Sequence, residues 1–310
     1  MEAAVTRRAA ATLLALFGAS AAAAGELPAK SRDLVAKLRA RVQAVDARLD
    51  GVLGVCVRDL TTGETVELRP EEAFPTASSI KLAVLYELYR QAEEGRVDLA
   101  EVTRPPLPRV GGGGILQELG DHVSLTWRDL AVLMIGWSDN EATNVLVRRV
   151  GLDSVNRRLD SLGLPGTRLR RRMMDLEAAH RGAENVSTPR ELARLAEMLA
   201  RGEGLSPARG RDLLAVASVA DEGSYFRRGL PQGARAISKP GALEGVRCEA
   251  AWVDVPGRPY SAAIMTAYLR READGEAAIA ELSAATFDTF DRLARSSELG
   301  RIVSDRVTAK

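Results

Sequence analysis

Histidine and cysteine are scarce in this chain, which has two of each among its 310 residues. The histidines are His122 and His180, and the cysteines are Cys56 and Cys248. Zinc sites need three or four thiolate, imidazole or carboxylate ligands at characteristic spacing. Four scattered residues do not supply such a cluster, so we expect no metal site, and the sequence argues against a zinc hydrolase.

Excess charge and long apolar runs are also missing. The chain has 43 lysines and arginines against 42 aspartates and glutamates, which gives a formal net charge of +1. No strong field therefore directs the protein to nucleic acid or to a membrane surface. Beyond the N-terminal segment, no run is long and apolar enough to span a bilayer. We expect neither a nucleic-acid partner nor a membrane span.

The N-terminal segment has the layout of an export signal. It contains a basic start at Arg7 and Arg8, an apolar stretch over residues 9–18 and small residues up to Ala24. The apolar stretch is shorter than a membrane span, and the three parts follow the order of a secretory signal peptide. We predict that residues 1–24 are removed during export and that the mature protein is periplasmic or secreted.

The rest of the chain mixes helix and strand patterns. A helix pattern beginning at Ser31 precedes two strand patterns, and several helix patterns fill the middle of the chain. Three further strand patterns, ARAISKPGALEG, VRCEAAWVDV and YSAAIMTAYL, precede a closing amphipathic helix. Because strands and helices do not alternate, the two strand groups must meet in one antiparallel sheet.

These patterns predict an α+β fold. In it, the first and last helices cover a five-stranded antiparallel sheet, and a second lobe is all helical. We predict one domain over residues 25–310, with an α/β lobe at 25–75 and 221–310 and a helical lobe at 76–220. The cleft between the two lobes is the natural position for a site.

Ser78 and Lys81, in the segment FPTASSIKLAVLYELY, form the first candidate for catalysis. Residues i and i+3 share a helix face, so the two side chains can approach each other. Serine is a poor nucleophile until a base takes its proton, and a lysine in an apolar pocket near another cation can be that base. A helix N-terminus also offers free N–H groups to a developing oxyanion. Taken alone, the pair also fits a helix cap followed by a snorkelling lysine.

Two further motifs must be considered together with Ser78 and Lys81. SDN, beginning at Ser138, lies on a short connector between two helix patterns, and KPG, beginning at Lys239, follows a strand pattern. Each alone fits a turn, because Asp, Asn and Pro-Gly are common in turns. Together, the three motifs resemble the set found in class A serine β-lactamases and, more distantly, in penicillin-binding proteins.

The resemblance extends over nearly all of the mature chain. RPEEAFPTASSIK resembles the family's nucleophile segment, LTWRDLAVLMIGWSDNEATNVLV its second-motif region, and STPRELARL the helix that follows its Ω-loop. It implies the β-lactamase and transpeptidase type of fold, with neither a metal nor an organic cofactor.

The resemblance also implies a role for each matching residue near the nucleophile. Ser78 attacks the lactam carbonyl, and Lys81 helps to deprotonate it. Ser138 passes a proton to the departing lactam nitrogen, and Asn140 holds the side-chain amide of the substrate. These roles describe an acyl-serine mechanism.

Groups on the later strands are implied to bind the substrate. Lys239 adds positive potential for the substrate carboxylate, and Gly241 belongs to the same motif. The backbone N–H groups of Ala242 and Ser78 form an oxyanion hole. Arg247 either binds the carboxylate or is a surface arginine, and the sequence leaves both open.

Three features depart from the family pattern. Pro240 replaces the usual threonine or serine of the third motif and has neither a hydroxyl nor an N–H, so one contact to the substrate carboxylate is missing. VGGGGILQ stands where an aromatic gate is common, which predicts a more open rim. The family's deacylating glutamate, four residues before an asparagine, has no counterpart between Arg168 and Thr188.

The nearest carboxylates in that loop are Asp175 and Glu177. Asp175 fits the spacing better, and either holds the hydrolytic water or pairs with neighbouring arginines. For Glu177 we favour a surface ion pair. If neither acts, acylation outruns hydrolysis and the protein behaves as a penicillin binder.

The resemblance further puts the two cysteines on strands that are separated by another strand. At about 4.8 Å per strand, Cys56 and Cys248 are then about 9–10 Å apart, which is too far for a disulfide. We predict two buried thiols.

We interpret the sequence as an exported, monomeric serine β-lactamase that hydrolyses the β-lactam amide through an acyl-serine. One alternative is a D,D-peptidase or slow-turnover penicillin-binding protein that acts on cell-wall peptides. Another is a non-catalytic binding protein on the same scaffold, and the retention of Ser78 and Lys81 argues against it.

Overall fold

The computed structural model of the chain describes residues 28–104, 107–120, 122–219, 223–297 and 299–302. The predicted signal, residues 1–24, lies outside these ranges. Within them, no helix is long and apolar enough to cross a membrane, and no group of three His, Cys, Asp or Glu residues is arranged to hold a metal ion.

The described residues form ten α-helices and two short 3₁₀ helices. The 3₁₀ helices are Ala77–Ile80 and Leu116–Glu118. The α-helices are α1 (Ala29–Arg48), α2 (Lys81–Glu93), α3 (Trp127–Gly136), α4 (Asn140–Val150), α5 (Leu152–Ser161), α6 (Leu176–His180), α7 (Pro189–Arg201), α8 (Pro207–Ala217), α9 (Tyr225–Arg228) and α10 (Glu272–Arg295).

Five strands form the main sheet, in the order β2-β1-β9-β8-β7, and every neighbouring pair is antiparallel. Two pairs of two-residue strands, β3 with β6 and β4 with β5, lie outside it. The predicted α+β fold with a five-stranded antiparallel sheet is confirmed. The strands are β1 (Val52–Asp59), β2 (Thr65–Leu68), β3 (Phe74–Pro75), β4 (Val102–Thr103), β5 (Leu125–Thr126), β6 (Val186–Ser187), β7 (Ala236–Leu243), β8 (Val246–Val253) and β9 (Tyr260–Ala267).

The two cysteines lie on strands that do not touch each other. Cys56 of β1 pairs with Ala263 of β9, and Cys248 of β8 pairs with Met265 of β9. Both thiols are free and buried, which confirms the prediction. Burial raises the pKa of each thiol to about 12, so both stay protonated at neutral pH.

The first and last helices pack together over one face of the sheet, as predicted. The rings of Tyr260 on β9 and Phe290 on α10 lie 4.6 Å apart between centroids. The helices bury apolar side chains against this face, with Val35, Leu38, Val42 and Val45 from α1 and Ile279, Leu282, Phe290 and Leu293 from α10.

The opposite face of the sheet packs against the helical lobe. Helix α7 contacts β1, β8 and β9, and α2 lies deeper, with eleven of its 13 residues buried. Because α2 is buried on most sides, the sequence of this helix is apolar on most sides. It also means that Lys81, the first residue of the helix, is enclosed by protein.

Thr188, Pro189 and Glu191 have the sequence pattern that predicts a capping box with proline at the first helical position, and the start of α7 follows this pattern only in part. Pro189 lies in the first turn, and the Oγ1 of Thr188 accepts from the N–H of Glu191 at 3.2 Å. The Glu191 carboxylate instead accepts from the N–H of Gly166 at 2.8 Å and from the hydroxyl of Thr167 at 2.7 Å. The second half of the predicted capping box is therefore wrong, because Glu191 anchors the loop before α6.

Gly54 lies where the sheet meets the helical lobe. A Cβ at this position would be 2.6 Å from the Phe74 ring and 2.8 Å from Pro189. We predict that Gly54→Ala lowers the free energy of unfolding by about 1–3 kcal/mol through overpacking. Gly120→Ala, which meets no atom within 4 Å, is the control in the same denaturant titration. Equal stability of the two variants would show that this interface relaxes freely.

Candidate active site

Ser78 lies in the 3₁₀ helix Ala77–Ile80, directly ahead of α2. In a 3₁₀ turn, residues i and i+3 lie nearly above one another, so Ser78 and Lys81 project to the same side. The preceding Ala77 has a φ of +45°, a conformation that is unfavourable for a non-glycine residue and clusters at functional sites. A strained turn, rather than the first turn of an α-helix, therefore presents the predicted nucleophile.

The amine of Lys81 connects the first and second motifs. The residue is completely buried, and its Nζ donates to the main-chain oxygen of Ser138 at 2.6 Å and to the Oγ of Ser138 at 3.1 Å. It also donates to the Oδ1 of Asn140 at 2.9 Å. These contacts bring three of the predicted site residues together, with the Ser138 hydroxyl within proton-transfer distance of the amine.

Asp139, the middle residue of the second motif, holds the connector between α3 and α4 in shape. Its Oδ1 accepts from the N–H of Ala142 at 2.8 Å. Its Oδ2 accepts from the N–H groups of Ile115 at 2.7 Å and Leu116 at 2.8 Å. These bonds support the left-handed backbone of Ser138, which has a φ of +50°. Sequence reasoning assigned Asp139 only to a turn, because its partners Ile115 and Leu116 come from a loop more than 20 residues earlier in the chain.

The third motif on β7 lies against the nucleophile turn. The Oγ of Ser79 donates to the main-chain oxygen of Lys239 at 2.8 Å. A Cβ at Gly241 would be 2.4 Å from the main-chain oxygen of Thr76, so the close approach requires glycine. Lys239 is completely buried, and its amine therefore does not face bulk water.

Cys248 packs beneath the same turn. Its Sγ donates to the main-chain oxygen of Thr76 at 2.8 Å and lies 3.4 Å from the Oγ of Ser79. On the neighbouring strand it is paired with Gly241. Ser79 and Cys248 thus join the nucleophile turn to β7 and β8. Sequence reasoning missed both, since their contacts arise only from tertiary packing.

Arg247 and Ala242 are paired across β7 and β8. The guanidinium of Arg247 donates to the main-chain oxygens of Leu243 at 3.0 Å and Val246 at 2.9 Å, and its Nε lies 3.2 Å from the Oε1 of Glu276. The side chain of Arg247 is therefore hydrogen-bonded to the turn between β7 and β8 and lies beside Glu276 of α10. Carboxylate binding by Arg247 and oxyanion binding at the exposed Ala242 stay predictions.

A buried carboxylate lies behind the third motif. Glu249 of β8 pairs with Pro240 and accepts from the hydroxyl of Ser224 and, at 2.8 Å, from the N–H of Phe226. Burial raises the pKa of Glu249 to about 7, and these hydrogen bonds and the charge of Lys239 oppose the rise. This group therefore changes its charge near neutral pH.

Two asparagine side chains hold the loop that precedes α6. Asn144 accepts from the N–H of Met173 at 2.8 Å and donates to its main-chain oxygen at 3.0 Å. Asn156 accepts from the N–H of Leu169 at 3.0 Å and donates to its main-chain oxygen at 2.8 Å. The loop backbone is thereby fixed from α4 and α5.

Asn185 links the same loop to the nucleophile turn. Its Oδ1 accepts from the N–H groups of Arg170 at 2.7 Å and Arg171 at 3.0 Å. Its main-chain oxygen accepts from the N–H of Thr76 at 2.9 Å and from the Thr76 hydroxyl at 3.1 Å. Asn185 therefore connects the loop to Thr76, two positions before Ser78.

Methionines occupy the part of the loop that reaches the second motif. A Cβ on Gly112 would be 2.3 Å from the Sδ of Met174 and 3.0 Å from the Nδ2 of Asn140. That Nδ2 donates to the main-chain oxygen of Gly111 at 3.1 Å. Met174 therefore borders the predicted substrate-binding amide, and Met173 precedes it. Neither side chain can act as a base.

Asp175 occupies the N-cap of the short helix α6. Its Oδ1 accepts from the N–H of Ala178 at 2.9 Å, and the residue is partly exposed. Glu177 is exposed and pairs with Arg181, as expected for a surface ion pair. The structure gives Asp175 a capping role, and its part in deacylation stays a prediction.

Sequence comparison supports one family. The model of the beta-lactamase enzyme family matches residues 37–290. A β-lactamase from Streptomyces cellulosae is 33% identical over 257 residues, which cover 80% of this chain and 81% of that protein.

Solved structures give the same result. PBP-A superimposes with a TM-score of 0.75 and 28% identity, and the match covers 82% of this chain and 96% of the other. A mutant of PBP-A that matches with the same TM-score of 0.75 is an acyl-enzyme complex with penicillin G. A β-lactamase from Sphaerobacter thermophilus has a TM-score of 0.73 and 29% identity, with 82% and 97% of the two chains covered.

Titration of Glu249 predicts a pH dependence of stability. Its pKa is about 7 in the folded protein against 4.5 for the free side chain, so folding disfavours the charged form. The stability that the neutral form contributes is complete below about pH 4.5 and is lost as the pH rises through about 7. We predict that the free energy of unfolding of Glu249→Gln rises relative to wild type across this window, by up to about 3 kcal/mol.

Denaturant titrations across this pH range measure the effect. The control is Glu177→Gln, which removes an exposed carboxylate and is expected to follow the wild-type pH profile. A constant difference between Glu249→Gln and wild type at every pH would contradict the assigned titration.

Proposed function

Because this chain belongs to the beta-lactamase enzyme family, we propose that it hydrolyses β-lactam amides through an acyl intermediate on Ser78. Relatives that bear the name β-lactamase support β-lactam hydrolysis in general. The serine mechanism rests on one observation, the buried amine of Lys81 in contact with Ser138 and Asn140.

In the proposed acylation step, the Oγ of Ser78 attacks the lactam carbonyl and gives its proton to the neutral amine of Lys81. The amine then returns a proton through the Oγ of Ser138, which lies 3.1 Å away. That proton reaches the lactam nitrogen as the C–N bond breaks. The products of this step are an ester on Ser78 and a secondary amine on the opened ring.

The proposed oxyanion hole consists of the N–H groups of Ser78 and Ala242. The hydrogen bond from Ser79 to Lys239 and the close approach at Gly241 join the nucleophile turn to β7. These contacts support a fixed separation between the two donors. Removing one donor from such a hole typically slows the reaction about 10²–10³-fold.

We propose that the substrate lies along β7. Its carboxylate points toward Lys239 and Arg247, and its side-chain amide binds Asn140. β7 is the outer strand of the main sheet, and an outer strand can pair with an extended ligand. Pro240 offers no hydroxyl to the carboxylate, so the two cations carry that interaction.

A slow-turnover penicillin-binding protein or D,D-peptidase is the second candidate. Met173 and Met174 occupy the loop beside the second motif, and no residue from Leu169 to Met174 carries a carboxylate. Hydrolysis of the acyl-enzyme then depends on Asp175 or on water without a dedicated base. The likeness to PBP-A, whose mutant is an acyl-enzyme complex with penicillin G, supports this candidate.

We further propose that the protein is exported after removal of residues 1–24 and acts as a monomer. The basic, apolar and small-residue order of the N-terminal segment supports export. The joint presence of Ser78, Lys81 and Ser138 argues against a non-catalytic binding protein.

A chromogenic cephalosporin assay combined with intact-mass analysis tests the proposed function. We expect steady turnover, reduced by about 10³-fold or more in Ser78→Ala because the nucleophile is lost. Ser161→Ala, which changes an exposed serine on α5, is the control. A lasting adduct on Ser78 without turnover selects the penicillin-binding candidate. The absence of both an adduct and turnover with any β-lactam would contradict both candidates.

Asp175→Asn tests the origin of deacylation. Asparagine is also a good N-cap, so α6 is retained while the general base is lost. If Asp175 holds the hydrolytic water, the variant accumulates acyl-enzyme and turns over about 10²-fold more slowly. Glu177→Gln, two residues away, is expected to keep wild-type turnover. Unchanged turnover in Asp175→Asn would reject its assigned role.

A further inference from the structure

Four polar side chains meet behind the third motif, and no step of the proposed mechanism uses them. They are Glu249 of β8, Ser238 of β7, and Ser224 and Arg227 at the start of α9. Arg227 is partly exposed, whereas the other three are at most 2% exposed. A buried carboxylate therefore meets two buried hydroxyls directly beside the residues that carry the motif.

These side chains form one chain of hydrogen bonds. The Nε of Arg227 donates to the Oγ of Ser238 at 2.9 Å. The two serine hydroxyls lie 3.2 Å apart, and the hydroxyl of Ser224 donates to the carboxylate of Glu249. Arginine can only donate, and each hydroxyl has one hydrogen. With Glu249 ionised, Ser238 therefore donates to Ser224, and every hydrogen of the chain points toward the carboxylate.

Protonation of Glu249 disturbs this arrangement. A proton on its Oε1 reverses both serine hydroxyls and leaves the hydrogen of Ser238 without an acceptor in the chain. The hydrogen bonds thus favour the charged form, while complete burial favours the neutral form. Burial is the larger effect and raises the pKa of Glu249 to about 7. The carboxyl group is therefore neutral below this pH and ionised above it.

The chain flanks Lys239 along β7. Ser238 directly precedes Lys239, and Glu249 is paired with Pro240, which directly follows it. Because successive side chains of a strand point to opposite faces, Lys239 projects to the face of the helical lobe while Ser238 and Glu249 project to the other. Paired residues of antiparallel strands are about 4.5–5.5 Å apart at their Cα atoms. The thickness of the sheet therefore separates the carboxylate from the lysine.

The charges of Lys239 and Glu249 act on each other across the sheet. The positive charge of Lys239 lowers the pKa of Glu249 and so opposes the effect of burial. An electrostatic interaction is mutual, so the ionised carboxylate reduces the positive potential that Lys239 produces. The state of Glu249 is thereby felt on the face of β7 where the substrate carboxylate is proposed to bind.

The described groups on α9 and β8 that surround Glu249 keep their charge near neutral pH. The guanidinium of Arg227 stays positive. Burial raises the pKa of the Tyr225 hydroxyl and raises that of the Cys248 thiol to about 12, so both stay neutral. These neighbours therefore do not account for a change of charge near pH 7.

The neighbouring elements β9 and α10 lead to the same conclusion. On β9, the residue paired with Glu249 is Ile264. On α10, the hydroxyl of Ser283 donates to a main-chain oxygen of α9 at 2.7 Å, and the carboxylate of Glu276 forms ion pairs with two arginines. Among the described residues of this cluster, the change of charge near neutral pH is therefore assigned to Glu249.

We propose that Glu249 is a positioning residue that acts through Lys239, because its ionisation offsets part of the positive potential that draws the substrate carboxylate to β7. A neutral Glu249 leaves this attraction at full strength, and an ionised one weakens it. The inference rests on the proposed function, since it requires an anionic substrate beside Lys239. It adds a pH dependence of acylation that exists only for substrates with a carboxylate.

A penicillin and its methyl ester test this dependence. The measured quantity is the ratio of their second-order rate constants for acylation of Ser78, from about pH 5.5 to about pH 8.5, where the substrate carboxylate stays ionised. The ratio cancels titrations that affect both substrates, such as that of Lys81. We expect the ratio to fall about three- to tenfold as the pH rises through about 7, because a negative charge then appears behind β7.

Variants assign the fall to the buried carboxylate. Glu249→Gln keeps the shape and removes the charge, so its ratio is expected to stay at the low-pH value throughout. Glu177→Gln, which changes an exposed carboxylate, is the control and is expected to follow wild type. Ser224→Ala removes a hydrogen bond that lowers the pKa of Glu249, so the fall is expected to move to higher pH.

The possible results separate the inference from the mechanism beneath it. A wild-type ratio that is constant with pH, or a fall that persists in Glu249→Gln, would overturn the inference and leave the acyl-serine mechanism intact. A residue that only packs the sheet gives that second result, because its loss slows both substrates equally. An unchanged midpoint in Ser224→Ala would contradict the assignment of the fall to Glu249. Absence of an adduct on Ser78 of the wild type with both substrates would overturn the proposed function instead.

Discussion

The candidate site depends on the burial of one amine. A lysine amine enclosed at the start of α2 is costly unless hydrogen-bond partners surround it, because a polar group that is buried without such partners loses its hydration with no compensation. The connector between α3 and α4 supplies those acceptors from Ser138 and Asn140, and Asp139 keeps that connector in shape. The contacts that make the burial of Lys81 possible are therefore also the contacts on which the proposed proton transfer depends.

Close packing on the nucleophile turn positions the third motif. Because Gly241 has no side chain, β7 can approach the main-chain oxygen of Thr76 closely. The same oxygen accepts from the thiol of Cys248, and the N–H of Thr76 donates to the main-chain oxygen of Asn185. Sheet, loop and helical lobe thus meet within two residues of Ser78. The arrangement explains how a motif that lacks a central hydroxyl can still be held at a fixed distance from the nucleophile.

The sequence predicted the sheet, the outer helices and the three motifs, because each of these has a local signature. Ser79 and Cys248 could not be assigned to the site, since their partners come from segments far away along the chain. A local pattern can also mislead, as Glu191 shows. The pattern predicted a helix cap, whereas the carboxylate binds Gly166 and Thr167 in the loop before α6. The loop beside the second motif could be flagged as unusual from the sequence, but its contact with that motif, through Met174 beside Asn140, is seen only in the structure.

A crystal structure of the protein after reaction with a slowly hydrolysed β-lactam measures the central claim most directly. The account predicts electron density that continues from the Oγ of Ser78 into the opened ring. The ester oxygen is expected between the N–H groups of Ser78 and Ala242, with the Lys81 amine within hydrogen-bond distance of Ser78. An intact ring away from Ser78, or an adduct whose carbonyl points away from β7 into solvent, would contradict it.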